Sequence, residues 1–407
     1  MRPLLDAQRD VLDGVRRLAV VEVDLDSALG LVLAEDVFAP HDVPPFANSA
    51  MDGFAVIGSD VSAAPVELEV SEDVAAGHVA RGAVTPGSAV RIMTGAPLPD
   101  GADTVVRVED TESTDGRVRI DVSVAPGTAV RQAGGDVAEG SLVFAAGTQL
   151  TPVHLGVLAT IGMARPAVHR NPCVAVMSTG DEVLPPDAPS LTPGAIRDAN
   201  RPLLKGLLAE AGVEVRDFGI IPDDAELLRS TLTTAAADCD AVVTSGGVSM
   251  GDYDLVKQIL TESGSVELWK VAMQPAKPFA FGSIDGTPLF GLPGNPVSVM
   301  VAFENFLRPA LLHMRGASHI FRPETSGVWA EPVDTDPTKT VFLRVKRDAE
   351  GAVRLAGGQE SNVLSATANA DAFAVVAAGV SSMEVGDVVP LLEFRLPASR
   401  SIQEVLG

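Results

Sequence analysis

The sequence predicts a multidomain α/β protein built around one doubly wound, mostly parallel sheet, with β-rich segments before and after it. Three observations predict this. The chain has 407 residues, whereas a single core rarely grows beyond about 250 to 300 residues, so two to four domains are expected. Between residues 173 and 263 apolar runs of strand length alternate with helical stretches, as a parallel sheet with crossover helices requires. The flanking segments carry short β-like runs broken by Gly and Pro, the texture of sheets joined by turns.

Taken in order, residues 4 to 17 place Leu4, Leu5, Val11, Leu12 and Val15 in a pattern compatible with a short amphipathic helix. From about 41 to 133 the segment reads as β-rich, and Asp115-Gly116 within "VVRVEDTESTDGRVRIDV" is a type I′ hairpin signal. Thr151 as N-cap and Pro152 at the first position predict a helix over 152 to 162. Strands are expected at 173 to 178, 214 to 221 and 241 to 245, with helices near 200 to 211, 224 to 237 and 255 to 263. Next come "ELWKVAM", "PFAFG" and "PLFGLP", then a helix capped by Asn295 and started by Pro296, which Pro309 is expected to kink or end. From about 318 to 407 short strands, among them "VFLRVKRDAEGAVRLAG" with a turn at Glu350-Gly351, predict a small β-barrel or sandwich.

Composition excludes several function classes. Hydrophobic residues make up 46% and charged residues 21%, which indicates real cores rather than disorder. A formal charge of −24 repels polyphosphate backbones and anionic lipid, so nucleic acid and membrane surfaces are not expected partners. An anionic small molecule remains compatible, because a pocket can be locally positive. Cys173 and Cys239 form neither a disulfide framework nor a CxxC metal pattern and are expected to be buried reduced thiols. The N-terminus does not read as a signal peptide, and no stretch supplies about 18 uncharged apolar residues. A cytoplasmic location is expected.

Ligands of open α/β sheets gather beyond the carboxyl ends of the strands. Three stretches fall there: "MSTGDEV", "TSGGVSMGDYD" and "GLPGNPVS". Gly246 and Gly247 permit close backbone approach and Ser245 and Ser249 add hydroxyls, so this turn could hold a phosphate or other oxyanion, or could be a bare strand-to-helix turn. It lacks the Walker lysine and the GxGxxG spacing. Asp181, Glu182, Asp252 and Asp254 follow neighbouring strands. Carboxylates beside a phosphate cradle make sense if Mg²⁺ lies between them, since that ion takes one or two carboxylates plus phosphate and water. The alternative is that each acid caps or begins a helix. Asp181 is read that way, and Glu182 and Asp254 as functional. Lys277, between Pro275 and Pro278, is the local cation.

The motifs "PPFANSAMDGFAV", "RIMTGAPLPDGADTVV", "STGDEV", "TSGGVSMGDYD", "MQPAKPFAFG" and "GLPGNPVS", in this order, closely resemble those of the molybdopterin molybdenumtransferases, relatives of the C-terminal domain of gephyrin. Six motifs in fixed order across nearly the whole chain are far more specific than any one alone. The resemblance implies a cytosolic homodimer that inserts molybdate into adenylylated molybdopterin, with Mg²⁺ assisting and AMP released. It implies a discontinuous N-terminal domain (1–40 with 134–170), in which the N-terminal helix joins the later segment. A β-rich inserted domain (41–133), an α/β domain (171–317) and a C-terminal β-barrel (318–407) complete the chain. The active site is expected between subunits.

Residue by residue, the resemblance carries over Asp52 of "SAMDG", Thr94 of "MTGA" and Asp136 of "GGDV" as polar positions lining the site. Glu182 and Asp254 match acidic positions, Lys277 the lysine of "KP", and Ser361 of "GGQESN" a contribution from the fourth domain. Asp52, Glu182 and Asp254 are the expected catalytic residues, the last two as metal ligands. Asp52 and Asp136 could instead be turn residues and Ser361 a loop hydroxyl. Departures are Gln274 and Ala276, where members often carry Lys and Gly, and Asn362, where a His often stands. One cation fewer weakens anion binding by about 1.5 to 3 kcal/mol. Two other classes fit the residues: a scaffold that binds precursor without releasing AMP, and a Mg²⁺-dependent phosphohydrolase or nucleotidyltransferase that turns over simple nucleotides.

Overall fold

The computed structural model describes residues 1–247, 266–348 and 350–394. Its central sheet follows from two uncharged, largely apolar runs, Cys173–Thr179 and Ala241–Ser245, of the kind that pair in parallel and are covered on both faces. Across the sheet the order is Glu214–Ile221, Cys173–Thr179, Ala241–Ser245, Thr287–Leu292, Pro278–Ile284 and Glu267–Lys270. The first four strands are parallel, and the last two are added antiparallel. One face packs Val174, Val176, Val243 and Phe290 into a core with Leu204 and Leu208 of helix Asn200–Glu210 and with Val299 and Phe303. The other packs Ala175, Met177, Val242 and Leu289 with Leu228, Leu232 and Ala235 of helix Ala225–Asp238. The sheet is therefore doubly wound, as its alternating sequence predicts. Asp224 caps the second of these helices by accepting from the Leu227 N–H at 2.8 Å.

Pro309 does not end its helix. Residues Phe303–Leu307 form a π-helical stretch between Pro296–Ala302 and Arg308–Met314. A proline lacks the N–H and crowds the carbonyl four residues back, and a widened turn absorbs both defects. The Asn305 side chain donates to the carbonyl of Val301 at 2.8 Å inside that stretch. The helix bulges and continues.

The N-terminal helix is shorter than its apolar pattern, spanning Leu4–Asp13. Its buried Ala7 and Val11 join the α/β core and lie against the Phe303–Met314 segment. The helix thus lends its apolar stripe to the α/β core, whatever domain its chain segment belongs to. Arg2 holds the preceding residues to the sheet edge, with its guanidinium 4.2 Å over the Trp269 ring and its N–H donating to the carbonyl of Lys270 at 2.8 Å. What does meet the later segment is the stretch after the helix. Val20–Glu22 and Val32–Leu33 both pair with Ala167–His169, and Val37–Phe38 pairs with Leu142–Phe144. Helix Pro152–Thr160, opened by Thr151 in a capping box with His154, covers this small unit.

Between those two halves of chain lies a sheet of six strands: Thr104–Arg107, Gly53–Val56, Ser88–Ile92, Val66–Val74, Arg117–Ile120 and Thr111–Thr114. Asp115 and Gly116 have φ of 52° and 78°, as their hairpin requires. The C-terminal region closes on itself. Thr340–Arg347 pairs with Ala352–Leu355, then the order runs through Glu324–Trp329, Val388–Glu393 and Ala372–Val376 back to Thr340–Arg347. Five strands in a ring make a barrel without edges. Among the described residues no helix is long and apolar enough to cross a membrane.

Candidate functional site

The chain leaves strand Cys173–Thr179 toward one side of the sheet and returns on the other side at Ala241–Ser245, so a crevice opens between the ends of these two strands. Ser178 and Ser245 stand beside each other in the register. Ser178, Thr179 and Ser245 are 2%, 4% and 3% exposed, and their hydroxyl oxygens have no hydrogen-bond partner among the described residues. An unpartnered buried polar group costs about 1 to 3 kcal/mol, so three side by side mark a place that a polar ligand would complete. The hollow over them measures about 190 Å³ and is also lined by Asn200. Its Oδ1 is buried without a partner among the described residues, while its Nδ2 donates to the carbonyl of Gly294 at 2.7 Å.

This hollow shares Glu182, Gly246 and Gly294 with a second one of about 510 Å³, which Gly247, Lys277 and Ser361 also line. Gly180 precedes Glu182 at φ 127°, and a Cβ there would come within 2.4 Å of the Glu182 Oε2. The positive φ favours glycine at this position, and the missing Cβ leaves the Glu182 carboxylate room over the strand end. At Gly246, φ is 92° and a Cβ would meet the Thr179 carbonyl oxygen at 2.9 Å, while its N–H donates to the carbonyl of Leu292 at 3.2 Å. Its contribution is close approach rather than donation. The buried hydroxyls are the available donors.

Lys277 is exposed on a loop pinned where the Val271 N–H donates to the Lys277 carbonyl at 2.8 Å. Ala276 beside it is 2% exposed and sits at φ 69°, a glycine-like conformation. Ser361 reaches the crevice from the barrel: its hydroxyl accepts from Asn295 Nδ2 at 2.7 Å, and its carbonyl accepts from the Val297 N–H at 3.2 Å. Asp181 is structural, as expected, but by another route than capping its own helix. It accepts from the N–H of Asp223, at 3.0 Å, in the loop before helix Ala225–Asp238.

Asp52, Thr94 and Asp136 lie elsewhere in the chain and do not line either hollow. Asp52 accepts from both the N–H and the hydroxyl of Thr94, each at 2.7 Å. The Thr94 N–H, then its hydroxyl, hold the Asp52 carboxyl below the usual carboxylate range, so this exposed acid stays ionised and is a poor proton donor. Asp136 is exposed in a turn whose N–H donates to the carbonyl of Val43 at 2.9 Å. The predicted residues thus do not all converge: some stand at the sheet crevice, Asp52 and Thr94 at strand ends of the inserted six-stranded sheet, and Asp136 in a turn beyond that sheet. Ser249, Asp252 and Asp254, with the expected helix at 255 to 263, lie outside the described residues.

For a metal, Glu182 and Glu360 both line the larger hollow. Among the described residues no three His, Cys, Asp or Glu side chains converge. Mg²⁺ asks for only one or two carboxylates when phosphate and water complete its shell, so this donor set fits it. Sequence reasoning missed Ser178, Asn200, Glu360 and Lys339, the last a second lysine lining the larger hollow. The signal for Ser178 was present: "MSTG" and "TSGG" are two strand ends of the same polar-then-glycine form.

Cys173 and Cys239 are free thiols with sulfurs 3.5 Å apart. Burial, then the Cys173 thiol, push Cys239 up to about 12, so it is inert at neutral pH. Cys173 is only half-buried, against expectation.

Residues 2–162 match the model of the "MoeA N-terminal region (domain I and II)", residues 175–313 the "Probable molybdopterin binding domain" and residues 326–394 the "MoeA C-terminal region (domain IV)". The chain is 39% identical over 368 residues to the Molybdopterin molybdenumtransferase 2 of Mycobacterium tuberculosis, covering 88% of this chain and 91% of that one. It is 35% identical over 378 residues to the Molybdopterin molybdenumtransferase of Haemophilus influenzae, covering 91% and 93%. Among solved structures, a molybdopterin biosynthesis moeA protein from Pyrococcus horikoshii OT3 superposes with a TM-score of 0.85 at 28% identity, covering 97% of this chain and all of that one.

Proposed function

Because this chain belongs to the molybdopterin molybdenumtransferase family, whose reaction is insertion of molybdenum into molybdopterin, we propose that the crevice at the sheet's switch point is where its substrate binds. The carrying observation is the row of buried, unpartnered hydroxyls at Ser178, Thr179 and Ser245, which runs on into the hollow lined by Lys277. The proposed substrates are adenylylated molybdopterin and molybdate, and the proposed products the molybdenum cofactor and AMP.

In this reading the hydroxyls and Asn200 hold the polar parts of the substrate, and Gly246 and Gly247 let it approach the backbone. Lys277 offsets phosphate charge by a charge-assisted hydrogen bond. Glu182 is the described carboxylate that would hold Mg²⁺, with Asp254 added on the motif alone. Bound there, Mg²⁺ would neutralise phosphate oxygens and favour departure of AMP. Ser361 brings the barrel to the rim and Thr94 fixes Asp52. An ionised Asp52 serves as an acceptor or an electrostatic partner, not as the acid that protonates departing oxygen. We further propose that the protein works as a cytoplasmic homodimer. Asp52, Thr94 and Asp136 are far along the chain from Glu182 and Lys277 and line neither of these hollows, so the inserted sheet of one protomer, bearing Asp52 and Thr94, together with the turn that carries Asp136, would complete the crevice of its partner. The domain limits proposed remain 1–40 with 134–170, 41–133, 171–317 and 318–407.

The test is direct. Purified protein given adenylylated molybdopterin, molybdate and Mg²⁺ should release AMP and form cofactor able to activate an apo-molybdoenzyme. Glu182→Ala should lower this at least a hundredfold with an unchanged melting curve. Undiminished AMP release in that variant would remove Glu182 from the site.

A further inference from the structure

The larger hollow has a second ammonium group that no motif announces. Lys339 lines it together with Lys277, Glu182 and Glu360. It stands just before the barrel strand Thr340–Arg347, more than sixty residues from the Lys277 loop, and the fold joins the two by backbone. Met273 pairs with Thr340 in a short parallel ladder, and the Thr340 N–H donates to the carbonyl of Ala272 at 3.0 Å. The Lys339 side chain is 19% exposed and is paired with Asp336. Asp336 is itself fixed, accepting from the N–H and hydroxyl of Thr338 at 2.9 and 2.6 Å.

An ammonium group has three donors. Asp336 takes one, and the neutral Gln274 Oε1 takes a second only weakly, at 3.4 Å. Among the described residues no third acceptor meets the ammonium, so one donor is left over. A lysine on the surface would give it to water, but this one is mostly covered, oriented by a carboxylate and placed on the wall of a hollow. Such a group is preorganised for an anion, because its rotamer entropy is already lost before the ligand arrives. A tetrahedral oxyanion has the small size and charge that a point-like ammonium prefers.

We infer that Lys339 is a second oxyanion-binding residue of the crevice, with Asp336 as its positioning residue. The inference deepens the proposed function and rests on it. The oxyanion is either molybdate or the phosphate of the adenylyl group, and the same protein distinguishes them. Binding of molybdate and of AMP is measured separately on full-length wild type, Lys339→Met, Lys339→Arg and Asp336→Asn, together with KM and kcat for AMP release.

Lys339→Met should weaken one of the two probes about tenfold or more, while Lys339→Arg, which keeps the charge and the pair with Asp336, stays within about threefold. Loss for molybdate alone assigns the metal oxyanion to Lys339, and loss for AMP alone assigns the phosphate. Asp336→Asn should raise KM for the same substrate with little change in kcat, a split that a merely structural role would not give. Unchanged binding of both probes in Lys339→Met overturns the inference, even if turnover by the wild type upholds the reaction. Binding of neither probe by the wild type overturns it too. Wild-type binding without turnover, still lost in Lys339→Met, supports the subsite and refutes the reaction.

Discussion

At Asp217, burial pushes the carboxyl up, but the hydrogen bonds from Lys205, Arg201 and the Gly219 N–H outweigh it and hold the group at about 2. The sign follows from linkage: a folded pKa below the unfolded 3.8 stabilises the fold at pH values above the unfolded pKa, and that stabilisation is lost as pH falls toward about 2. Asp217→Asn should therefore lower Tm at pH 7, with the gap to wild type closing between about pH 5 and pH 2. Because the group is partly solvated, about 1 kcal/mol is the expected size. Thermal melts across that range check it, and a gap that does not change with pH would show that the ion pairs with Arg201 and Lys205 add nothing. Legibility at this scale divides by what a side chain needs from the fold. Glu182, Lys277 and Ser361 sit in motifs built from Gly and Pro, and the structure brings them to one crevice. Ser178, Asn200 and Lys339 matter only through burial and register, which no local pattern displays.

At the scale of elements, periodicity and capping chemistry carry most of the fold. Strands 214–221 and 241–245 form as read, as does the Asp115-Gly116 hairpin. Two outcomes depend on more than local pattern: of the kink or end expected at Pro309, the end does not occur, because a π stretch carries the helix past the proline, and the N-terminal helix lends Ala7 and Val11 to the α/β core. The Gln274–Pro278 loop makes the same point. Ala276 adopts φ 69°, so the chain keeps a glycine-like turn with an alanine in it. An L residue in this region costs about 1 to 2 kcal/mol, and glycine costs about 0.5 to 1 kcal/mol in lost chain entropy. Ala276→Gly should therefore stabilise the protein by about 0.5 to 1 kcal/mol. Denaturant unfolding reads this, and a loss of stability would mean that packing of the buried methyl outweighs the backbone strain.

At the scale of the molecule, three sheets divide the work. The doubly wound sheet supplies the crevice, the barrel closes one rim with Ser361 and Lys339, and the inserted sheet holds Asp52 and Thr94 away from both. A chain with an overall charge of −24 concentrates its useful cations, Lys277 and Lys339, in one hollow, where local charge rather than net charge meets the ligand. An acid poised by Thr94 but lining neither hollow is explained if a second copy of the chain presents it to the crevice. By two-fold symmetry, each dimer then holds two such composite sites.

Complementation measures this most directly. Asp52→Ala and Glu182→Ala are each made, shown to be dimeric and inactive, then unfolded together and refolded as a mixture. A composite site predicts that each mixed dimer carries one doubly damaged site and one intact site, so AMP release returns to about one quarter of the wild-type rate. A mixture as inactive as its two parents would place Asp52 and Glu182 in the same chain's site or in no common site.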